Sequence, residues 1–304
     1  MRRQLFTETP ISRLAIWARR IALFSLVATF IAVIIVRSGA LDIVPALSTL
    51  AGALVLACVA ILLAFAAGVV IWQHGTGGGR QAVTALLVGA ALIAYPLYLG
   101  VKASRLPAIY DVTTDPIDPP QFDAIARLRP RDANPVTYAG LYTAEQQHAA
   151  YPDIEPDETT VSPQDAFAAA MKVITRRKWR VVDARPPQGP LPRVIDARAS
   201  QTGVVRDGII EAVARTPILG FRDDVVLRIR PTVDGARIDV RSASRYGRHD
   251  LGTNAKRVRG LIDDIDDVLS APQPERNRRR RRNRREKAIR PSGKFRRSTA
   301  VLRS

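Results

Sequence analysis

The chain has 304 residues, 47% of them hydrophobic, with a mean hydropathy of −0.02 and a formal net charge of +18. Neither figure describes an even distribution. Apolar residues concentrate before Lys102; residues 276–304 hold 14 Lys or Arg against Glu286 alone, residues 1–37 hold six Arg against Glu8, and the 26 basic and 26 acidic residues between balance. This excludes a uniformly basic nucleic-acid-binding fold, and the lone Cys58 excludes an intrachain disulfide, a Cys-based zinc site and thiol catalysis built on a cysteine pair.

An uncharged stretch runs from Ile21 to Val36, flanked by Arg20 and Arg37. Sixteen residues rise only about 24 Å as a helix, short for a hydrocarbon core of about 30 Å, so the flanking arginines must snorkel if it spans. Ser38-Gly39-Ala40 supplies the small residues of a cleavage site, which keeps a signal peptide open as a rival reading. Ala46 to Trp72 is long enough to cross with tilt. Its small residues at four-residue spacing, Ala60, Ala64 and Gly68, are a weak signal for close helix approach or dimerisation. The run QHGTGGGR at 73–80 lacks the Gly-Lys-Ser/Thr ending of a phosphate loop and is expected to be a flexible connector. Ala82 to Val101 is a third span, with Tyr95, Tyr98 and Lys102 as interface anchors. Five arginines before the first span and Arg80 after the second favour a cytoplasmic N-terminus, so three crossings would put residue 103 onward on the opposite side.

Residues 106–160 are rich in Pro and Asp, as in DVTTDPIDPPQF at 111–122, and predict an extended segment packed over a domain, with a helical turn near Ala144–Ala150. Asp111, Asp115 and Asp118 lack the spacing of a calcium loop and are expected to cap turns. Ser162-Pro163-Gln164-Asp165 starts a helix with a cap, a first-position proline and a carboxylate three residues on. Its predicted buried stripe is Phe167, Ala170, Met171 and Ile174. Strands are predicted at Trp179–Ala184, more weakly at Val194–Ala199, and at Ile209–Thr216.

The strongest pattern is a hairpin. Phe221, Val225, Leu227 and Ile229 alternate with Arg222, Asp224, Arg228 and Arg230; after Asp234-Gly235, Ile238 and Val240 alternate with Arg237, Asp239 and Arg241. A two-residue turn with positive φ at Asp234-Gly235 would set Ile229 against Val240 and Arg230 against Asp239. A four-residue turn would keep the faces and shift the partners. The charged face is expected to keep the sheet soluble or to attract anions. Asp223 points inward, where an unpaired carboxylate is costly; either serines, Tyr246 and backbone satisfy it, or it forms a polar pocket with Arg245, His249 and Asn254. A final amphipathic helix starts near Asp250, with Leu251, Ala255, Val258, Ile262, Ile265 and Leu269 inward and its charges set against its dipole.

The predicted fold is α+β: a membrane anchor over 1–102, an antiparallel-sheet domain of about five strands with two helices over 106–272, and a disordered Arg-rich tail over 273–304. The runs RTPILGFRDDVVLRIRP (215–231) and DVRSASRYGRHDLGTNAKRVRGLI (239–262), with DVTTDPIDPPQF upstream, resemble the bacterial and plastid family known as domain of unknown function 1499, over roughly residues 110–270. The resemblance implies a small α+β domain, often membrane-tethered or exported, with no agreed activity, no known cofactor and no catalytic residues to carry over.

The leading expectation is an envelope protein of the bacterial inner membrane with a periplasmic binding domain and no cofactor or metal. Its candidate binding residues are Asp223, Asp224, Arg241, Arg245, His249, Asp250 and Asn254. Anionic phospholipid, or another envelope polyanion held by the Arg276–Arg297 tail, is the expected partner besides the membrane itself. Nucleic acid becomes a partner only if the C-terminal half is cytoplasmic. Two alternatives stay open: acid–base catalysis by Asp223, Asp224, His249 and Asp250 beside Arg241 and Arg245, and docking on a membrane-protein partner.

Overall fold

The computed structural model describes residues 10–188 and 206–271. The predicted strand at 194–199 and the tail at 273–304 lie outside the described residues. Three helices lead the chain: α1 (Arg13–Ser38), α2 (Ile43–His74) and α3 (Gly79–Ala103), each long and apolar enough to cross a membrane. The uncharged stretch from Ile21 is thus part of a 26-residue helix, about 39 Å long at helical rise, which has the length to cross provided that Arg19, Arg20 and Arg37 reach outward to the interface. The three helices meet through small side chains, with Ala18, Ala22, Ala60, Ala64 and Ala85 buried together. At Gly89 an added Cβ would lie 2.6 Å from Ile61 Cγ1, so the α2–α3 crossing depends on glycine there. The 75–78 connector is pinned: Ser12 N–H donates to the Gly77 carbonyl at 2.9 Å and Gly77 N–H to Pro10 at 3.1 Å.

The rest of the chain continues through β1 (Asp111–Thr113), α4 (Ala124–Leu128), α5 (Leu141–Ala150), β2 (Asp157–Thr159), α6 (Pro163–Arg176), β3 (Arg180–Arg185), β4 (Gly208–Arg215), β5 (Arg222–Pro231), β6 (Ala236–Ser244) and α7 (Thr253–Ser270). All pairings are antiparallel, in the order β1-β6-β5-β4-β3, with β2 also on β6. β1 and β2, three residues each, share one edge of β6 end to end. The exposed backbone of β1 is closed by Gln147 of α5, whose amide accepts from Thr113 N–H at 3.0 Å and donates to Thr113 O at 2.7 Å.

Helices α6 and α7 cover one sheet face and enclose the main core, with Val225, Leu227, Ile229, Ile238 and Val240 from the hairpin. Ser162 caps α6 as its sequence predicts, Oγ accepting from Asp165 N–H at 3.1 Å. The stripe of α6 is rotated from the expected one: Ala166, Ala169, Ala170, Val173 and Ile174 are buried, whereas Phe167 and Met171 pack at the margin. Small side chains let α6 lie close to the sheet. On α7 the adverse dipole is offset by tertiary pairs. Arg257 reaches Asp223 and Arg259 reaches Asp153, while Asp264 near the other end takes Arg176 at 3.0 Å and Arg177 at 2.6 Å.

The hairpin uses the longer turn. Pro231 pairs with Ala236, Thr232 N–H donates to the Gly235 carbonyl at 3.0 Å, and Ile229 faces Ile238 while Arg230 faces Arg237. Gly235 has no positive φ. Its role is closeness, since a Cβ there would sit 2.1 Å from the Thr159 carbonyl oxygen.

The second face is covered as well. Residues 114–136, which follow β1, cross it as a strap, and Phe122 and Ile125 pack on Val213, Val226 and Ala243. The expectation that Arg228, Arg230, Arg237 and Arg241 keep an exposed face soluble is therefore corrected. Arg241 is 0% exposed and Arg228 9%, because β1 and the strap bring aspartates to them.

Candidate functional site

The seven residues singled out from the sequence fall into separate places. Asp223 and Asn254 meet on the helix-covered face. Arg257 binds Asp223, and the Asn254 amide oxygen accepts from Ser242 Oγ at 2.8 Å while its nitrogen donates to Ser244 Oγ at 3.0 Å and to Tyr110 O at 2.9 Å. Burial pushes the Asp223 carboxyl above its ordinary range, against the pull of Arg257. This is the satisfied inward carboxylate foreseen for Asp223, with Arg257 as the partner that sequence reasoning missed. Arg257 is not among the apolar residues that mark the inward stripe of this helix, and its burial follows from long-range packing.

On the opposite, strap-covered face, Asp224 receives Arg245, with Nη2 at 2.7 Å, and Arg129 Nε at 2.6 Å. Arg241 binds Asp111 through two nitrogens, at 3.0 and 2.7 Å, and donates to the carbonyls of Pro120 and Val136. Its guanidinium also lies 4.8 Å from the Phe122 ring centroid. Asp239 takes Arg228, Arg230 and Arg237 at 2.8–3.0 Å. Asp115 caps the turn at Ile117 and Asp118, as expected, and also takes Arg230 at 3.0 Å and Arg237 at 2.6 Å. Burial would raise the Asp115 carboxyl, but the Asp118 amide and Arg237 hold it below the usual carboxylate range. Glu211, 0% exposed, accepts the amides of Asp123, Ala124 and Ile125 at 2.8–3.1 Å and so fixes the start of α4.

His249 and Asp250 form a third group. His249 Nε2 lies 3.0 Å from the Ala103 carbonyl and Nδ1 accepts from Leu251 N–H at 3.0 Å, which puts the proton on Nε2 and ties the end of α3 to this turn. The Asp250 carboxylate accepts from Gly252 N–H at 2.9 Å and Asn254 N–H at 2.7 Å, organising the entry to α7, which starts at Thr253. Burial raises the Asp250 carboxyl despite those amides.

The charges left over stand at one end of the strap-covered face. Arg215 at the end of β4 is directly opposite Arg222 at the start of β5, and Arg180 at the start of β3 is opposite Val213. All three are exposed, and among the described residues none has a carboxylate within salt-bridge distance. They line two adjoining cavities, of about 200 and about 90 Å³, whose shared wall is Arg215, Arg222 and Arg245. The larger cavity opens against the α1–α2 turn, where Val36, Leu41, Ile43 and Ala46 are apolar and Asp42 is acidic. Arg37 at the end of α1 donates to the carbonyls of Pro217 and Ile218, and Gly220 packs on Arg37, so that the β4–β5 loop is seated on the helix hairpin. Both arginines flank this loop, and a strand register would have paired them from sequence.

Among the described residues, no group of three or more His, Cys, Asp or Glu is arranged to hold a metal ion. No curated protein and no solved structure matches the chain. The family model described as "Protein of unknown function (DUF1499)" matches residues 111–265, from the first strand to the last turns of α7. It takes in the strap with its aspartates, the whole sheet and the paired arginines as one unit and just over half of the chain, which therefore belongs to the DUF1499 family.

Proposed function

We propose that the protein is a membrane-anchored envelope protein of the bacterial inner membrane whose α+β domain, on the periplasmic side, works by binding anionic envelope material and not by catalysis. The observation that carries this reading is the seat of the sheet on the α1–α2 turn. A cleft lined by Arg215 and Arg222, which have no salt-bridged carboxylate among the described residues, opens there at the level where apolar helix gives way to polar chain, which in a bilayer is the headgroup zone. Supporting the non-catalytic reading, Asp223, Asp224, His249 and Asp250 all spend their acid–base atoms on structural partners. The five arginines ahead of the uncharged stretch that begins at Ile21, with Arg80, support a cytoplasmic N-terminus, and three crossings then carry the domain outward. The Arg276–Arg297 tail would add attraction to the same anionic surface.

Two measurements test the proposal. A reporter fused after Ser304 and active only outside the cytoplasm is expected to be active. Lipids that co-purify with the full chain in neutral detergent are expected to be enriched in anionic species over the bulk membrane. A silent reporter with an active cytoplasmic counterpart overturns the location, and a co-purified lipid composition equal to the bulk overturns the ligand.

A further inference from the structure

We infer that Arg215 and Arg222, with Arg180 beside them, form a clamp for the phosphate of a phospholipid whose apolar part lies against the α1–α2 turn. This rests on the reading above and names the site and the ligand.

Two like charges directly opposite on neighbouring antiparallel strands repel. Arg215 and Arg222 are such a pair. Elsewhere on this face opposed arginines such as Arg230 and Arg237 share carboxylates, whereas among the described residues Arg215 and Arg222 have none within salt-bridge distance, Asp42 and Asp132 lying only on the cavity wall. A bound anion would remove their repulsion. Guanidinium groups suit a phosphate because their paired N–H donors match two of its oxygens. Arg245 stiffens the wall between the two cavities, since its guanidinium is held on Asp224. Counting both cavities, five arginines (Arg37, Arg180, Arg215, Arg222 and Arg245) face two aspartates, Asp42 and Asp132, which leaves the lining positive.

Size and polarity select the ligand class. A cavity of about 200 Å³ is smaller than the roughly 300–1,000 Å³ that encloses a drug-sized molecule, so it takes a headgroup and leaves the remainder outside. The lining runs from Arg215, Arg222 and Arg245 on the sheet side to Val36, Leu41 and Ile43 on the helix side, where Arg37 and Asp42 carry the two charges of opposite sign. That is the order of phosphate and chain along a lipid entering from the bilayer.

The test uses the full chain in a neutral detergent, its thermal unfolding followed on addition of short-chain phosphatidylglycerol, short-chain phosphatidylcholine or glycerol 3-phosphate. Phosphatidylglycerol is expected to raise the melting temperature of the wild type most. Arg215→Gln/Arg222→Gln is expected to bind it about tenfold more weakly or worse, the loss of charge-assisted hydrogen bonds, and Arg215→Lys/Arg222→Lys to fall between. Arg105→Gln, an exposed basic residue after α3 outside the cleft, is expected to respond as the wild type does. An undiminished response in the Gln double variant overturns the site, while the broader anionic-lipid reading survives if the wild type still prefers phosphatidylglycerol. An equal loss in Arg105→Gln also overturns the site, in favour of diffuse attraction. An equal response to glycerol 3-phosphate keeps the phosphate clamp and overturns the lipid as its source. No response of any variant to any of the three overturns clamp and anionic-lipid reading together.

Discussion

Arg228, Arg230, Arg237 and Arg241 lie under the strap and share Asp111, Asp115, Asp118 and Asp239; Arg180, Arg215 and Arg222 lie on the same sheet face beyond it and have no carboxylate partner among the described residues. The residue type is the same and the distance along β5 is only a few residues. What differs is the cover. Where the strap excludes water, a guanidinium needs a carboxylate and gets one; where the sheet meets the α1–α2 turn, the cover would be the membrane surface. The first set holds the fold together, and the second is available for a ligand.

The largest effect should come from breaking the buried set. Arg241→Ala leaves Asp111 charged and enclosed, and burial already raises that carboxyl against the hold of Arg241. Loss of one partner of a buried pair costs about 3–5 kcal/mol. Urea unfolding of the full chain in detergent, read through Trp179 with Trp17→Phe and Trp72→Phe in the background, measures it. Arg241→Met should be milder than Arg241→Asp, since an apolar replacement avoids adding a second carboxylate.

A smaller loss is expected from Glu211→Ala, which strips three amides of the acceptor that starts α4. The cost is about 1–3 kcal/mol, and limited proteolysis should cut the strap near Arg127 and Arg129 before the sheet unfolds. Unchanged proteolysis there would mean that the ion pairs and the packing of Phe122 and Ile125 hold the strap without Glu211.

The converse of the paired arginines is a pair of carboxyls, Asp157 and Asp266, with no salt-bridged basic partner among the described residues. Asp266 on α7 is raised to about 6, by burial first and then by Asp157 of β2, which burial raises as well. Protonation of the pair is favoured in the fold. Its contribution to stability is fully present below the ordinary carboxylate value near 3.8 and fades as pH rises through about 6. The difference in melting temperature between wild type and Asp266→Asn should therefore change across pH 4–7, moving in favour of the variant as pH rises. A constant difference would show that the two carboxyls do not share a proton.

The smallest effect distinguishes the exposed set. Arg222→Gln without lipid should unfold no earlier than the wild type, and slightly later if the repulsion with Arg215 is felt. A clear loss of stability would mean that Arg222 is structural.

Much of this fold can be read from sequence. The three spans, the Ser162 cap and the hairpin rest on local patterns of apolar residues and caps, and the structure keeps them; the inward face of α7 keeps Ala255, Val258 and Ile265 but takes Leu261 in place of Ile262, with Leu251 before the helix and Leu269 at the margin. The hairpin register could not be read, because Asp-Gly fits a four-residue loop as well as a two-residue one and the choice lies with the contact of Gly235 on Thr159. The three-residue edge strands are too short, and too close to prolines, to leave an alternating pattern. Alternation of charge on β5 and β6 is the same whether water or a strap covers it, and Asp111, Asp115 and Asp118, which complete the pairs, lie more than a hundred residues away. The alternation already puts Asp223 on one face and Asp224 and Arg241 on the other, while the partner that each one meets depends on pairing that no local signal carries. The clamp leaves a trace that register alone exposes: two arginines at matching ends of neighbouring strands.

The most direct measurement compares one arginine from each set in the full chain, scoring both retained phosphatidylglycerol after purification in neutral detergent and urea stability. Arg222→Gln should lose bound phosphatidylglycerol and keep wild-type stability, whereas Arg237→Gln, which vacates Asp115 and Asp239, should lose stability and keep the lipid. Retention of the lipid by a folded Arg222→Gln chain, or its loss from a folded Arg237→Gln chain, would contradict the division of labour between the two sets.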